Sequence, residues 1–431
     1  MLALISLCTA QDTLSFDAGL DVDVIAPEQG IEAFERWLVV EVEAPPVART
    51  KDAPTHLSLV LDTSGSMKER GKLEYARAAA AKLVERLGPG DTLSLVGFGS
   101  EPKVVRRQGR ILNPAEVVYA IGLLTPQGGT HLYGGLQEGM DQLQRFLEHP
   151  RRRVLLMSDG EATAGPTDRR SLAGLASDAQ QSGVTVSTVG LGLEFDAPTM
   201  IAIADAGGGR YRYGNDPEDV VALFDEELER MRHLAALSAT VELRMAEGVE
   251  LIDVVGYEEY DGRAIDGGWR VLLGDMQAAE PRKVVARVRV PAHMRGDVDV
   301  AKVDIAWKDA SSGERRSTAG KIQTRVAAET PAPAPATAGS TRRRSKAAQA
   351  SAGKALERAA ELQQAGQQTE AAQVLEETLI EFSDELIEGQ LDAEMEALED
   401  YRDQLVEPSA EDEEERRQVD FNRLKALGYM Y

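Results

Sequence analysis

Leu57-Ser58-Leu59-Val60-Leu61-Asp62-Thr63-Ser64-Gly65-Ser66-Met67 decides how this chain is read. An apolar run of strand length ends in an aspartate, and small hydroxyl residues follow. The run is too short for a good helix and is flanked by polar residues, so it reads as a strand buried on both faces. In the loop, Asp62, Ser64 and Ser66 present oxygens at alternate positions, and Gly65 lets the backbone turn between the serines. Open α/β sheets place their sites at the carboxyl ends of strands, where this loop falls. Hard oxygens of this kind suit Mg2+, Ca2+ or Mn2+ rather than zinc or copper.

One loop cannot hold such an ion alone, because Mg2+ takes about six oxygens in near-octahedral array. Two later stretches offer the remainder. Gly128-Gly129-Thr130-His131-Leu132 brings a hydroxyl just before a helical pattern, and Val154-Leu155-Leu156-Met157-Ser158-Asp159-Gly160 is a second apolar run ending in an aspartate. Asp-x-Ser-x-Ser, Gly-Gly-Thr and apolar-Ser-Asp-Gly, in that order and spacing, resemble the metal-ion-dependent adhesion site of the von Willebrand factor A (VWA) domain family. The resemblance spans roughly residues 55–232. It implies a Rossmann-like α/β fold with a mostly parallel central sheet covered by helices. It also implies that Asp62, Ser64, Ser66, Thr130 and Asp159 are the metal positions. If the carboxylates act partly through water, as in the family, the ion stays electrophilic and keeps one position open. An Asp or Glu carboxylate of a partner protein would take that position. His131 is a departure, since Asp or Asn is frequent there.

Composition narrows the partners. Lys plus Arg number 48 and Asp plus Glu number 72, a net charge of −24 on 431 residues. A nucleic-acid binder must neutralise phosphates, so this balance argues against nucleic acid, and it argues against anionic lipid as well. A bound cation would supply local attraction for an acidic partner that the rest of the chain repels. Cys8 is the single cysteine, which rules out an internal disulfide. Residues 1–10 are apolar and end Cys8-Thr9-Ala10, resembling a truncated signal peptide and pointing to an extracytoplasmic setting, periplasmic or cell-surface. Cys8 raises a lipid anchor as an alternative, against which stands the bulky Leu7. No later stretch has the roughly 18 apolar residues of a membrane span.

The patterns divide the chain. Residues 11–54 form an N-terminal segment, loosely extended over 11–30, with a β-rich stretch Arg36–Glu43 before Pro45-Pro46. Residues 55–237 alternate strand and helix patterns, the rule for a mostly parallel sheet covered on both faces. Residues 238–328 switch to period two, as in Lys283–Val290 and Val300–Trp307, and predict an antiparallel β-sandwich. The Arg36–Glu43 strand is expected to join that sandwich, inserting the α/β unit into it. Residues 329–345 read as a Pro/Ala-rich linker carrying a solvated Arg342-Arg343-Arg344 patch. Residues 346–431 are acidic and helical, with a hairpin around Gly366 similar to a tetratricopeptide repeat. A closing apolar tail, Phe421–Tyr431, docks on its own chain or on a partner.

For function, the five histidines form no HExxH pair, and neither Gly-x-Ser-x-Gly nor a P-loop occurs. A phosphatase of the haloacid dehalogenase type would use a nucleophilic Asp62 and usually a second Asp where Ser64 stands. The sequence therefore favours a non-enzymatic, divalent-metal-dependent protein-binding module for adhesion or envelope assembly. The alternative is a VWA partner of an ATPase ring in a chelatase or chaperone-like system, which an exported chain disfavours.

Overall fold

The computed structural model describes residues 13–26, 31–46, 54–144, 151–159, 162–191, 196–214, 217–255, 262–328, 337–383 and 392–406. The expected signal segment 1–10 and the apolar tail 421–431 lie outside the described residues.

The α/β unit is built on β4 (His56–Asp62), buried at every residue. It pairs in parallel with β5 (Thr92–Phe98) and β7 (Arg152–Ser158), and β7 pairs with β8 (Val184–Leu191) and β8 with β9 (Gly208–Gly214). At the edge beyond β5, β6 (Pro102–Arg110) runs antiparallel. Side chains alternate across β4. Leu57, Leu59 and Leu61 join the core under α1 (Lys72–Arg86) and α2 (Pro114–Gly122). Val60 joins the opposite core under α3 (Leu132–Leu143), α4 (Arg169–Gln181) and α5 (Ala197–Ala206). Local signals set the helix starts. Asn113 and Asp168 cap α2 and α4 through Ala115 N–H and Ser171 N–H. α3 ends at Leu143, and 145–150 lie outside the described residues.

Strands flanking this unit meet in one sheet. β3 (Ala33–Glu43) pairs antiparallel with β14 (Pro281–Pro291), Val40 opposite Val284. β1 (Ser15–Leu20) lies on the far side of β3, and β11 (Glu250–Val255) lies beyond β14. A second sheet runs β12 (Gly262–Ile265), β13 (Gly268–Gln277), β10 (Leu234–Met245), β15 (Gly296–Asp309), β16 (Arg315–Val326) and β2 (Val24–Ile25). Leu38, Val40, Ala286 and Val288 from the first sheet and Val241, Val271, Val303 and Ile305 from the second share one core. Residues 11–30 are therefore not loosely extended where described. Phe16, Ala18 and Leu20 feed this core from β1, so pairing with β3 gains apolar burial despite the acidic composition.

The linker reading of 329–345 also needs correction. Residues 329–336 lie outside the described residues, but α7 (Ala338–Gln364) begins before residue 345. Asp23 holds its first turn, accepting from Thr337 N–H, Thr337 Oγ1 and Ser340 Oγ. Arg343 is no solvated cation: its Nε donates to Leu20 O at 2.7 Å, and its guanidinium lies so close to Gly19 that a Cβ there would meet it at 2.8 Å. Ala347 and Ala350 of α7 pack on Val39, Val255 and Val285, covering the outer face of the first sheet. α8 (Gln368–Ser383) and α9 (Asp392–Val406) complete a small helical cluster with α7.

Ion pairs join the α/β unit to the sandwich. Buried Arg153 at the start of β7 contacts Glu227 of α6 (Pro217–Arg232) and donates to Asp275 of β13 at 3.0 Å. Glu280 stands among Arg210, Arg230 and Arg282. Burial pushes its carboxyl upward, but those three guanidiniums outweigh that and hold it below its ordinary 4.5. A depressed folded value means the stabilisation is full above the unfolded value and fades as pH falls through the folded one. Glu280→Gln should therefore lower the urea midpoint at pH 7, and the difference between the two proteins should shrink as pH falls below the carboxyl's ordinary 4.5. Leu38→Ala, at a fully buried β3 position, should cost about 2–5 kcal/mol in the same measurement; a neutral result would remove β3 from the core.

Candidate metal centre

β4 delivers Asp62 to the rim of the sheet with its side chain fully buried. Thr63 and Ser64 follow, then a 3-10 turn, Gly65–Gly71, that leads into α1. The backbone stitches this loop to its neighbours. Thr63 N–H donates to Phe98 O, Gln127 N–H donates to Thr63 O, and Gly65 N–H donates to Gly128 O at 3.0 Å. The approach is close enough that a Cβ on Gly99 would stand 2.4 Å from Gln127 O, so that position needs glycine.

The side chains form a continuous polar chain. Ser64 Oγ and Ser66 Oγ are 2.9 Å apart, and Ser66 Oγ donates to Asp159 Oδ1 at 2.9 Å. Lys72 Nζ donates to Asp159 Oδ2 at 2.6 Å. Asp62 accepts from Ser64 N–H at 2.7 Å and from Ser158 Oγ at 2.5 Å. Burial pushes the Asp62 carboxyl up to about 6; the Ser158 and Ser64 hydrogen bonds oppose that rise, and the nearby Asp159 charge adds to it. Asp62, Ser64 and Asp159 are buried, Ser66 is half-buried, and Gly65 is exposed. The cluster thus opens to solvent along its first loop.

Four of the five sequence candidates are joined in this way. Thr130 is held at the rim by its backbone: its N–H donates to Thr163 Oγ1 at 2.8 Å and its carbonyl accepts from Thr163 N–H at 2.9 Å. Among the described residues, no hydrogen bond links the Thr130 hydroxyl to the other four. His131, the departure from the family pattern, lays its ring against Gly134 and Gly165, filling space between the start of α3 and the loop after Asp159. Sequence reading missed Ser158, Thr163 and Lys72. Ser158 was legible as the hydroxyl before Asp159, whereas a lysine at the first turn of a helix carries no motif.

The donor set fits a hard divalent cation. Neighbouring ligands of an octahedral Mg2+ at about 2.1 Å stand about 3 Å apart, and both oxygen pairs of the Ser64–Ser66–Asp159 chain have that spacing. Ser64, Ser66 and Asp159 would offer oxygens directly. Asp62 orients Ser64, and Thr130 would approach from the second loop. Among the described residues, no group of three or more His, Cys, Asp or Glu gathers into a carboxylate- or imidazole-rich site, at this rim or elsewhere, so the centre rests on hydroxyls beside its carboxylates.

Comparison with known proteins bears on this geometry. Residues 57–161 match the family model for the von Willebrand factor type A domain. The Synechocystis sp. protein sll0103, of uncharacterised function, is 28% identical over 307 residues, covering 68% of this chain and 72% of its own length. Human inter-alpha-trypsin inhibitor heavy chain H4 is 27% identical over 184 residues, 40% of this chain and 20% of that one. A solved structure, "von Willebrand factor type A from Catenulispora acidiphila", shares the fold with a TM-score of 0.72 at 17% identity, over 96% of both chains.

Lys72 and Asp159 form an ion pair 9% and 0% exposed. Removing one partner of such a pair leaves a buried charge unpaired. Lys72→Met in EDTA-containing buffer should cost about 3 kcal/mol in urea unfolding. A loss within error would show that Asp159 does not need the ammonium.

Proposed function

We propose that this chain, which carries a von Willebrand factor type A domain, is a non-enzymatic protein-interaction module working outside the cytoplasm. In this reading a divalent ion at the Asp62 rim, Mg2+ first and Ca2+ or Mn2+ as substitutes, binds an Asp or Glu carboxylate of a partner. One observation carries the reading: three oxygens of Ser64, Ser66 and Asp159 lie at octahedral-edge spacing beneath a rim open to solvent. The likeness to an inter-alpha-trypsin inhibitor heavy chain agrees with a protein-binding role.

The chemistry of the cluster favours binding over catalysis. Both serine hydroxyls are tied into a carboxylate chain, and the nearby His131 ring packs on glycines. Among the described residues, neither serine hydrogen-bonds to a histidine, the pairing that activates a Ser–His nucleophile. A metal ligated directly by one carboxylate and neutral hydroxyls keeps much of its charge for an incoming carboxylate. Among the described residues, no helix is long and apolar enough to cross a membrane.

Mg2+ at one hundred times its Kd should stabilise the native protein by about 2.7 kcal/mol, read as a rise in Tm. Asp62→Ala should abolish that rise while far-UV circular dichroism keeps the α/β signature. An unchanged Mg2+ response in Asp62→Ala would remove the site. Capture of a partner should also fail in EDTA and return with Mg2+.

A further inference from the structure

A pocket of about 510 Å³ lies between the C-terminal end of α4 and the outer face of the sheet containing β10, β13 and β15. α4 ends just before β8 begins, so this pocket sits at the edge of the α/β sheet opposite the Asp62 rim. Its volume is that of a small-molecule site, at a junction between domains where such sites concentrate.

The charge on its walls runs against the rest of the molecule. In a chain of net charge −24, five cations line this one pocket: Arg263, Arg270, Lys308, Arg315 and Arg316. Their placement is unfavourable for the protein alone. Arg263 stands directly opposite Arg270 across β12 and β13, and Lys308 directly opposite Arg315 across β15 and β16. Like charges facing each other across a ladder destabilise a sheet. Two such pairs on the wall of one pocket are a cost that an anionic ligand would offset.

The neighbouring carboxylates are engaged. Glu242 takes Arg270, Asp309 takes Arg316 at 3.2 Å, and Asp275 is held by Arg153, Thr185 Oγ1 and Ser238 N–H. Arg263, Lys308 and Arg315 have no ion pair among the described residues. At the end of α4, Arg152 donates to Ser182 O. Burial, then Arg315 and Arg152, hold the Lys308 ammonium below its ordinary range, while Asp275 opposes them.

We propose that this pocket binds a small soluble polyanion bearing two or more phosphate or sulfate groups. The two cationic pairs are separated by the neutral floor of Thr240, Leu272 and Ala306, so one anionic group would meet each end. Guanidinium forks match phosphate and sulfate oxygens in bidentate fashion. Gln180, Gln181 and Ser177 on the α4 wall supply neutral donors and acceptors between the ends. The site is independent of the ion at the Asp62 rim.

The test is calorimetric titration of the full chain with inorganic tripolyphosphate, and separately with a disulfated disaccharide, in EDTA at constant ionic strength. We expect saturable one-to-one binding of at least one of them, weakening at least tenfold between 50 and about 300 mM NaCl. Binding of tripolyphosphate alone assigns a phosphate source, and binding of the disaccharide alone a sulfate source. Lys308→Met/Arg315→Thr should lose affinity at least tenfold, yet unfold at a slightly higher temperature without ligand because the facing charges are gone. Arg263→Thr gives the same reading from the other end of the pocket, and Asp62→Ala should bind as the native protein does. No saturable binding of either probe, or equal affinity in both pocket variants, overturns the proposal.

Discussion

Two buried carboxylates at one rim are the constraint on which the candidate centre depends. Asp62 and Asp159 end neighbouring parallel strands, so the sheet delivers their charges to the same place out of water. Burial and the nearby Asp159 charge both work against ionisation of Asp62. The surroundings answer with donors: Ser158 and Ser64 N–H on Asp62, Ser66 and the Lys72 ammonium on Asp159. These groups share the C-terminal rim because β4 and β7 run parallel and side by side. An antiparallel pairing would send one aspartate to the opposite edge.

The same sheet has a different task at its other edge. Strand starts there carry Arg153 and neighbouring polar groups into contact with α6 and β13, where ion pairs and hydrogen bonds fasten the α/β unit to the sandwich. α6 takes part through Glu227 and Arg230. Its position is thus fixed from below by charge, while Met231 packs it against the core of the α/β unit.

What the sequence revealed follows from how each signal arises. β4, β5, β7 and β8 were legible because strands covered on both faces must be continuously apolar. The sandwich strands were legible because one face of each meets Val-rich partners and the other meets water. Asp62, Ser64, Ser66 and Asp159 could be picked out because they carry motif spacing. β1 was missed since Asp17 and the acidic residues that follow the strand hide an alternation of only three apolar positions, Phe16, Ala18 and Leu20. The start of α7 was missed because Ala338 follows a proline-rich run, and its anchor, Asp23, lies 314 residues away in the chain. Lys72 escaped for a related reason: its partner Asp159 is 87 residues distant, and no local pattern records a long-range ion pair.

The pairing of β3 with β14 sets an order of events during synthesis. Glu35 meets Arg289 at a separation of 254 positions, so the first long strand leaves the ribosome far ahead of its partner. The α/β unit between them is assembled from short-range strand–helix repeats and can collapse while its flanking strand still waits. Until β14 arrives, β3 exposes unpaired backbone along an apolar edge, the kind of surface that nascent chains need shielded. The exposure lies in that long wait during synthesis and not in the finished fold, where β3 is paired on both sides.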